Sequence, residues 1–80
     1  MNYEDWKTEE SGITKEFQFR SYRSAMEFLN KVAEIAEKEK HHPDICLHAN
    51  NRVYIRVFTH DQNKITTADV KLANLINRIG

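Results

Sequence analysis

The hydrophobic period of this 80-residue chain changes from two residues to about 3.6 residues, and the same change occurs twice. Phe17 and Phe19 alternate with polar residues, a pattern typical of a strand, whereas apolar residues after Ser21 recur at helical spacing. After Pro43 the alternation returns, and a final helical stripe ends the chain. The repeated change predicts the order ββαββα.

The first half divides at Ser11-Gly12, where a hairpin turn separates two short strands between residues 5 and 20. An amphipathic helix of about five turns follows. Either Ser21 or Ser24 can be its N-cap, and Ser24 has Glu27 three residues later, as in a capping box. Pro43 ends this helix at or before His42. The predicted apolar stripe consists of Ala25, Phe28, Leu29, Val32, Ile35 and Ala36.

The second half begins with a hairpin that turns at Asn50-Asn51. Ile45 and Leu47 form the apolar side of its first strand. The apolar side of the second strand is formed by Val53, Ile55 and Val57. Thr66 with Asp69 resembles a capping box at the start of the last helix, whose stripe contains Leu72, Ala73, Ile76 and Ile79.

Two hairpins, each followed by a helix, pack most simply as an α+β fold, a four-stranded antiparallel sheet with two helices packed on one face. The opposite face is then mixed in character, because aromatic and polar side chains share it. Such a face indicates a ligand or another subunit as its neighbour. Its expected members are Tyr54, Arg56, Phe58, His60 and His48.

Composition limits the classes of function. Twelve basic and twelve acidic residues give a net charge of zero, which argues against direct nucleic-acid binding. The acidic N-terminus and the lack of a long apolar run argue against a secretory signal or a membrane span, so we expect a cytoplasmic protein. Cys46, the only cysteine, is expected to be a buried structural thiol in a reducing compartment.

A chain of this length is expected to form one domain over residues 1–80. Its core is small, and no internal disulfide can stabilise it. Open sheet edges could add a second copy strand for strand. We therefore expect a homodimer or homotetramer.

The segment from Glu37 to Pro43 contains the strongest candidate for chemistry, two adjacent histidines at a helix end. Imidazole exchanges protons near neutral pH, so His41 and His42 are candidate acid-base groups. They could instead only cap the helix, whose terminal carbonyls favour positive charge. Pro43 strengthens the first interpretation because it restricts the direction of His42. Glu37 lies one helical turn before His41 and can contact it, or it is an ordinary solvated carboxylate.

Two later residues complete the candidate set. His60 lies on the less apolar side of the last strand, where it is either part of a site or an ordinary strand-end residue. Asp69 is favoured in a first helical turn in any protein, so a cap is its simpler interpretation. The histidines and Cys46 could bind a metal, but no familiar zinc-ligand spacing occurs, so no metal is expected.

The chain resembles the pterin-4a-carbinolamine dehydratases from about Trp6 to its end. The resemblance rests on three motifs taken together: E-x3-H-H-P from Glu37, the strand from Arg52 that leads into Thr59-His60, and I-T-x2-D ending at Asp69. The interval from His42 to His60 is one residue longer than is usual in that family, and the hairpin tip at residues 49–51 can absorb the extra residue. Cys46 and Ile45 occupy positions where many members have His or an aromatic residue.

The resemblance implies dehydration of 4a-hydroxytetrahydropterin to quinonoid dihydropterin and water, in the recycling of tetrahydropterin. It implies His41 and His60 as the main acid-base pair and His42 as a pterin ligand. Asp69 would orient a histidine or the substrate, with Glu37 and Pro43 in support. The implied partner is a small-molecule pterin, and no cofactor is implied.

Two other classes of function remain open from the sequence. Relatives on this scaffold serve as a dimerisation cofactor for a transcription factor or as assembly chaperones, so a non-catalytic protein-binding scaffold is the main alternative. A metal-binding module is the third.

Overall fold

The structure, a computed structural model, describes residues 5–9, 12–59 and 64–79. The order of its elements confirms the predicted ββαββα pattern. The strands are β1 Lys7–Glu9, β2 Gly12–Gln18, β3 Asp44–His48 and β4 Arg52–Phe58, and the helices are α1 Tyr22–Glu39 and α2 Thr67–Ile79.

The strands form a four-stranded antiparallel sheet in the order β1-β2-β4-β3. The two long strands, β2 and β4, therefore lie in the centre, and the shorter β1 and β3 form the edges. At the start of β2, the backbones of Gly12 and Val57 approach each other closely. A Cβ at Gly12 would lie 2.9 Å from the Val57 carbonyl oxygen, so the position favours glycine. This approach fixes β2 against the end of β4, where the candidate site begins.

The inner face of the sheet and both helices enclose one core. Pairing of Ile13 with Val57 and of Phe17 with Val53 places the buried side chains of the central strands on the same face. They form one cluster with buried residues of both helices: Ala25, Phe28, Val32, Leu72, Ala73 and Ile76. The predicted arrangement, with both helices on one face, is therefore confirmed.

The N-terminus of α1 is capped by Ser21, which decides between the two serines. The Ser21 hydroxyl oxygen accepts the backbone N–H of Ser24 at 3.0 Å, and the Ser21 backbone is extended. This satisfies one of the free amides of the first turn.

The hairpin between β3 and β4 turns through residues 49–51, as predicted. Ala49 and Asn50 have positive φ angles of 49° and 72°, and asparagine tolerates this region better than most residues. The Asn51 side-chain amide donates to the Phe19 carbonyl oxygen at 2.8 Å. The tip of the hairpin is thereby attached to the end of β2.

The outer face of the sheet is mixed, as the sequence predicted. Tyr54 and Phe58 lie on it half-buried, and the Arg56 guanidinium lies 4.5 Å from the centre of the Phe58 ring. Glu16 lies between His48 and Arg52, at 3.6 and 3.3 Å. Polar side chains of the outer face therefore contact one another or a neighbouring aromatic ring. His60, also expected here, lies outside the described residues.

A polar contact joins the N-terminal segment to the far end of α2. The Lys15 ammonium donates to the Asp5 carboxylate and, at 3.0 Å, to the Asn77 side-chain oxygen. The hydrogen bond from Lys15 holds the pKa of Asp5 below its ordinary value of 3.8. Across the described residues, no helix is long and apolar enough to cross a membrane.

Candidate functional site

Helix α1 ends just before the two histidines, and the manner of its ending sets their directions. Lys40 adopts a left-handed conformation with φ 55°, which is uncommon for a residue other than glycine. The N–H groups of Lys40 and His41 both donate to the Ala36 carbonyl oxygen. The chain thus turns sharply away from the helix axis before it reaches His41, and the two imidazoles contact different partners.

The His41 ring reaches the N-terminus of α2. Its Nε2 lies 2.5 Å from Oδ1 of Asp69, 28 residues later in the chain. The His41 side chain is 19% exposed, whereas that of Asp69 is fully buried. The structure therefore joins two of the predicted site residues across the gap between the two helices.

Asp69 is held by a set of donors that a buried carboxylate requires. The backbone N–H of Thr66 donates to Oδ2 at 2.9 Å, and the Thr59 hydroxyl lies 3.0 Å from both carboxylate oxygens. The Thr59 and Thr66 hydroxyls are themselves 2.9 Å apart. Asp69 thus provides the carboxylate half of the predicted capping box through Oδ2, and its Oδ1 contacts His41 as well as Thr59.

These contacts determine which ring nitrogen of His41 can act on a ligand. An ionised carboxylate only accepts hydrogen bonds, so Nε2–H of His41 donates to Asp69. In the neutral ring this leaves Nδ1 with the lone pair that accepts a proton. A buried carboxylate behind an imidazole also stabilises the positive charge that proton uptake creates.

His42 lies on the other side of the turn and pairs with Glu37. Nε2 of His42 is 2.7 Å from Oε2 of Glu37, and both side chains are mostly exposed. The expected contact between Glu37 and His41 is therefore wrong. It assumed one continuous helical turn, whereas the helix ends at Glu39 and the left-handed Lys40 redirects the next residues.

A small crevice of about 120 Å³ lies beside this pair. Its polar lining residues are Glu37 and His42, and its apolar lining residues are Val32, Ala33, Ala36, Pro43 and Ile45. Pro43 thus lines a concave surface together with His42, whereas His41 is not one of its lining residues. The crevice suits one edge of a flat, partly polar molecule.

The remaining predicted site residue, His60, lies outside the described residues, directly after Thr59. Sequence reasoning missed Thr59 and Thr66 as partners of Asp69. Thr66 was identified only as a helix cap, and the sole signal for Thr59 was its place beside His60 at the strand end. A hydroxyl that must satisfy a carboxylate in another element leaves no periodic pattern in a sequence.

The predicted burial of Cys46 is wrong. Its side chain is exposed, because β3 is an edge strand and Cys46 lies on the outer face of the sheet. Within the described ranges, no three His, Cys, Asp or Glu side chains come close enough together to hold a metal ion.

The fold and the site define a class of protein: a small α+β domain with a buried carboxylate behind an imidazole that ends a helix. Comparison with known proteins agrees with this class. The family model for pterin 4 alpha carbinolamine dehydratase matches residues 1–79. The chain belongs to the pterin-4a-carbinolamine dehydratase family.

Relatives and solved structures cover most of the chain. It is 37% identical to the "Putative pterin-4-alpha-carbinolamine dehydratase" of Metallosphaera sedula, covering 94% of this chain and 77% of that protein. A protein of the same name from Prochlorococcus marinus is 42% identical over 92% of this chain and 77% of its own length.

Two solved structures share the fold. A "transcriptional coactivator/pterin dehydratase" from Brucella melitensis superposes with a TM-score of 0.87 and 35% identity, covering 95% of this chain and 82% of that one. A pterin dehydratase-like RuBisCO assembly factor of the alpha-carboxysome gives 0.75 at 21% identity, covering 92% and 84%. The second likeness concerns the fold alone.

Proposed function

We propose that this protein dehydrates a 4a-hydroxytetrahydropterin to the quinonoid dihydropterin and water, with His41 as one of its proton-transfer groups. The contact of His41 with the buried Asp69 supports this proposal most directly, because it holds one ring nitrogen and leaves the other to exchange protons. Membership of the family supplies the substrate class.

The reaction requires two proton transfers. The bond between C4a and the hydroxyl oxygen breaks as a general acid protonates the departing hydroxyl, and a ring N–H proton passes to a general base as the new C=N bond forms. His41 Nδ1 can accept that ring proton when His41 is neutral, and Asp69 stabilises the imidazolium that results. His60 is the second group of the proposed pair, and Asp69 and Thr59 are positioning residues.

His42 and Glu37 are proposed to hold the pterin at the crevice. A pterin carries both donors and acceptors along its edge, and a carboxylate with an adjacent imidazole complements them. The apolar wall at Val32 and Ile45 can cover part of its flat ring. This role replaces the earlier expectation that Glu37 supports His41.

A direct assay tests the function. Purified protein should accelerate the loss of 4a-hydroxytetrahydropterin, produced in situ, above its spontaneous dehydration, and chelator treatment should not reduce the rate. Failure to exceed the spontaneous rate would reject the enzyme, and a rate that fell with the metal content of the sample would favour metal chemistry.

We expect Glu37→Gln to separate ligand binding from stability. Because the pair with His42 is exposed, its loss should change the free energy of unfolding by less than about 1 kcal/mol. A lost charge-assisted hydrogen bond to the substrate should raise KM by roughly tenfold. Steady-state kinetics and urea unfolding measure the two effects. Glu34→Gln, on an exposed position of the same helix, is the control. Equal kinetics of both variants would remove Glu37 from the site.

A second function is a protein-binding scaffold on the same fold. The name of the Brucella melitensis structure joins coactivator and dehydratase, and that protein is 35% identical to this chain. A partner-binding role is therefore compatible with the proposed enzyme, and the dehydratase assay distinguishes a scaffold that has lost catalysis from one that retains it.

A further inference from the structure

The hydroxyl of Thr66 contacts a different partner from the one that its position predicts. Thr66 directly precedes α2, and the side-chain oxygen of such a residue ordinarily accepts the backbone N–H three residues later. Ser21 does this at the start of α1, where it accepts the N–H of Ser24 at 3.0 Å. At α2, the N–H of Asp69 donates instead to the Thr66 carbonyl oxygen at 3.1 Å. The Thr66 hydroxyl is therefore available to another element.

That element is the end of β4. The Thr66 hydroxyl lies 2.9 Å from the hydroxyl of Thr59, which directly follows β4, and both residues are half-buried. Thr59 in turn lies 3.0 Å from both carboxylate oxygens of the buried Asp69. Three side chains from two parts of the chain thus form a row that ends at the carboxylate beside His41.

The chemistry of the three groups fixes the direction of this row. An ionised carboxylate only accepts hydrogen bonds, and a hydroxyl has a single proton to donate. The Thr59 proton must therefore point to Asp69, because otherwise the Thr59 oxygen would face two carboxylate oxygens with no proton between them. That oxygen can then only accept. The Thr66 hydroxyl is consequently the donor in the contact between the two threonines.

A donor at Thr66 changes what Thr59 contributes to the carboxylate. A hydroxyl whose oxygen accepts a hydrogen bond becomes a stronger donor, and the contact also holds the Thr59 side chain in one rotamer. Oδ1 of Asp69 accepts both from Thr59 and from Nε2 of His41. The orientation of the carboxylate toward His41 thus depends on Thr59, and through Thr59 on Thr66.

We propose that Thr66 is a positioning residue for proton transfer and that it acts through Thr59. Because its hydroxyl donates to Thr59, the Thr59 proton is directed to Asp69, and that carboxylate stays aligned with His41. The same contact ties the end of β4, the residue before His60, to the start of α2. This role rests on the proposed function, whereas the direction of the hydrogen bonds does not.

Two isosteric variants and their combination test the order of action. Thr66→Val removes one neutral hydrogen bond and should lower kcat by roughly 3- to 10-fold, with KM unchanged because Thr66 has no proposed contact with the substrate. Thr59→Val removes a bond to a charged acceptor and should lower kcat by roughly 10- to 100-fold. The double variant should be no slower than Thr59→Val, because without Thr59 the Thr66 hydroxyl has no route to the carboxylate.

Two further variants are the controls. Thr66→Ser keeps the hydroxyl and should retain the parent kcat. Thr67→Val removes a neighbouring hydroxyl from an exposed position at the start of the same helix, and it should also retain the parent kcat. Urea unfolding of each variant shows that the fold is retained under the conditions of the assay. A Thr66→Ser variant as slow as Thr66→Val would assign the effect to packing and would reject the role of the hydroxyl.

Neutron diffraction from parent crystals grown in heavy water tests the direction without an activity assay. The Thr66 deuteron should lie between the two threonine oxygens, and the Thr59 deuteron should lie on the side of Asp69. These positions can be determined even for a protein without dehydratase activity. Failure of the proposed function and failure of this hydrogen-bond direction therefore give different results.

Three other results would overturn the proposal. The first is a Thr59 deuteron that points to Thr66, which would reverse donor and acceptor. The second is a loss of kcat in the double variant equal to the product of the two single losses, which would make Thr66 independent of Thr59. The third is the parent kcat in Thr66→Val, which would leave Thr66 only as the residue that precedes the helix.

Discussion

Replacing His41 by alanine is expected to lower the dehydration rate by about 10²- to 10⁴-fold, the usual contribution of a general acid or base. The physical reason is the loss of the nitrogen that exchanges the pterin proton. Asp69 would keep the N–H of Thr66 and the hydroxyl of Thr59, so the free energy of unfolding should fall by about 1.5 to 3 kcal/mol, the usual loss for one hydrogen bond to a charged group. Initial rates on protein shown to be folded by circular dichroism provide the measurement.

The matched control for this variant is Lys38→Ala. Lys38 is an exposed residue in the last turn of the same helix, so Lys38→Ala truncates a side chain near the helix end without touching Asp69. We expect parent-like rates from Lys38→Ala. An equal loss in both variants would assign the effect to disturbance of the helix end, and undiminished turnover by His41→Ala would reject proton transfer by that residue.

The sequence predicted the order and faces of the elements because most buried apolar residues recur at the period of their strand or helix. Ile13 and Phe17 in β2, and Val53, Ile55 and Val57 in β4, are all buried on one side of the sheet. Such a signal is local, since each strand carries its own alternation. In the two helices, the apolar residues recur every three or four positions, and this spacing likewise identifies the buried side of each helix.

Predictions failed where an outcome depended on a single backbone angle or on the order of the strands. The partner of Glu37 changed from His41 to His42 because Lys40 adopts a left-handed conformation, which no hydrophobic pattern records. Cys46 was expected to be buried because its strand alternates, but alternation does not reveal whether a strand is central or at an edge. Placing β3 at the edge exposes its thiol.

The candidate site was predicted in its members but not in its contacts. Asp69 was expected to cap the last helix, and the family resemblance implied that it also orients a histidine or the substrate. Among the described residues, the imidazole beside Asp69 is that of His41. The distance between these two residues depends on how α1 and α2 pack, and packing between helices is a property of the whole core rather than of either segment.

Asp69→Asn is expected to retain the fold and lose the reaction, with a fall in rate of about 10²- to 10⁴-fold. The amide oxygen can still accept the N–H of Thr66, so the first turn of α2 keeps its capping box. The amide nitrogen can only donate, and a donor placed against Nε2 of His41 makes that nitrogen the acceptor. The proton of neutral His41 then lies on Nδ1. That nitrogen has no free lone pair, so it can no longer accept the proton of the pterin.

Two further variants separate this role from that of a helix cap. Asp69→Ala removes the acceptor from half-buried donors at Thr66 and Thr59 and should lower the free energy of unfolding by about 1 to 3 kcal/mol. Adding Ala68→Asp to Asp69→Asn returns a negative charge to the same exposed helix turn without restoring the contact with His41. The added carboxylate again interacts favourably with the helix dipole, but the proton of neutral His41 remains on Nδ1. This double variant should therefore remain slow. Recovery of parent turnover in the double variant would show that Asp69 serves only the helix.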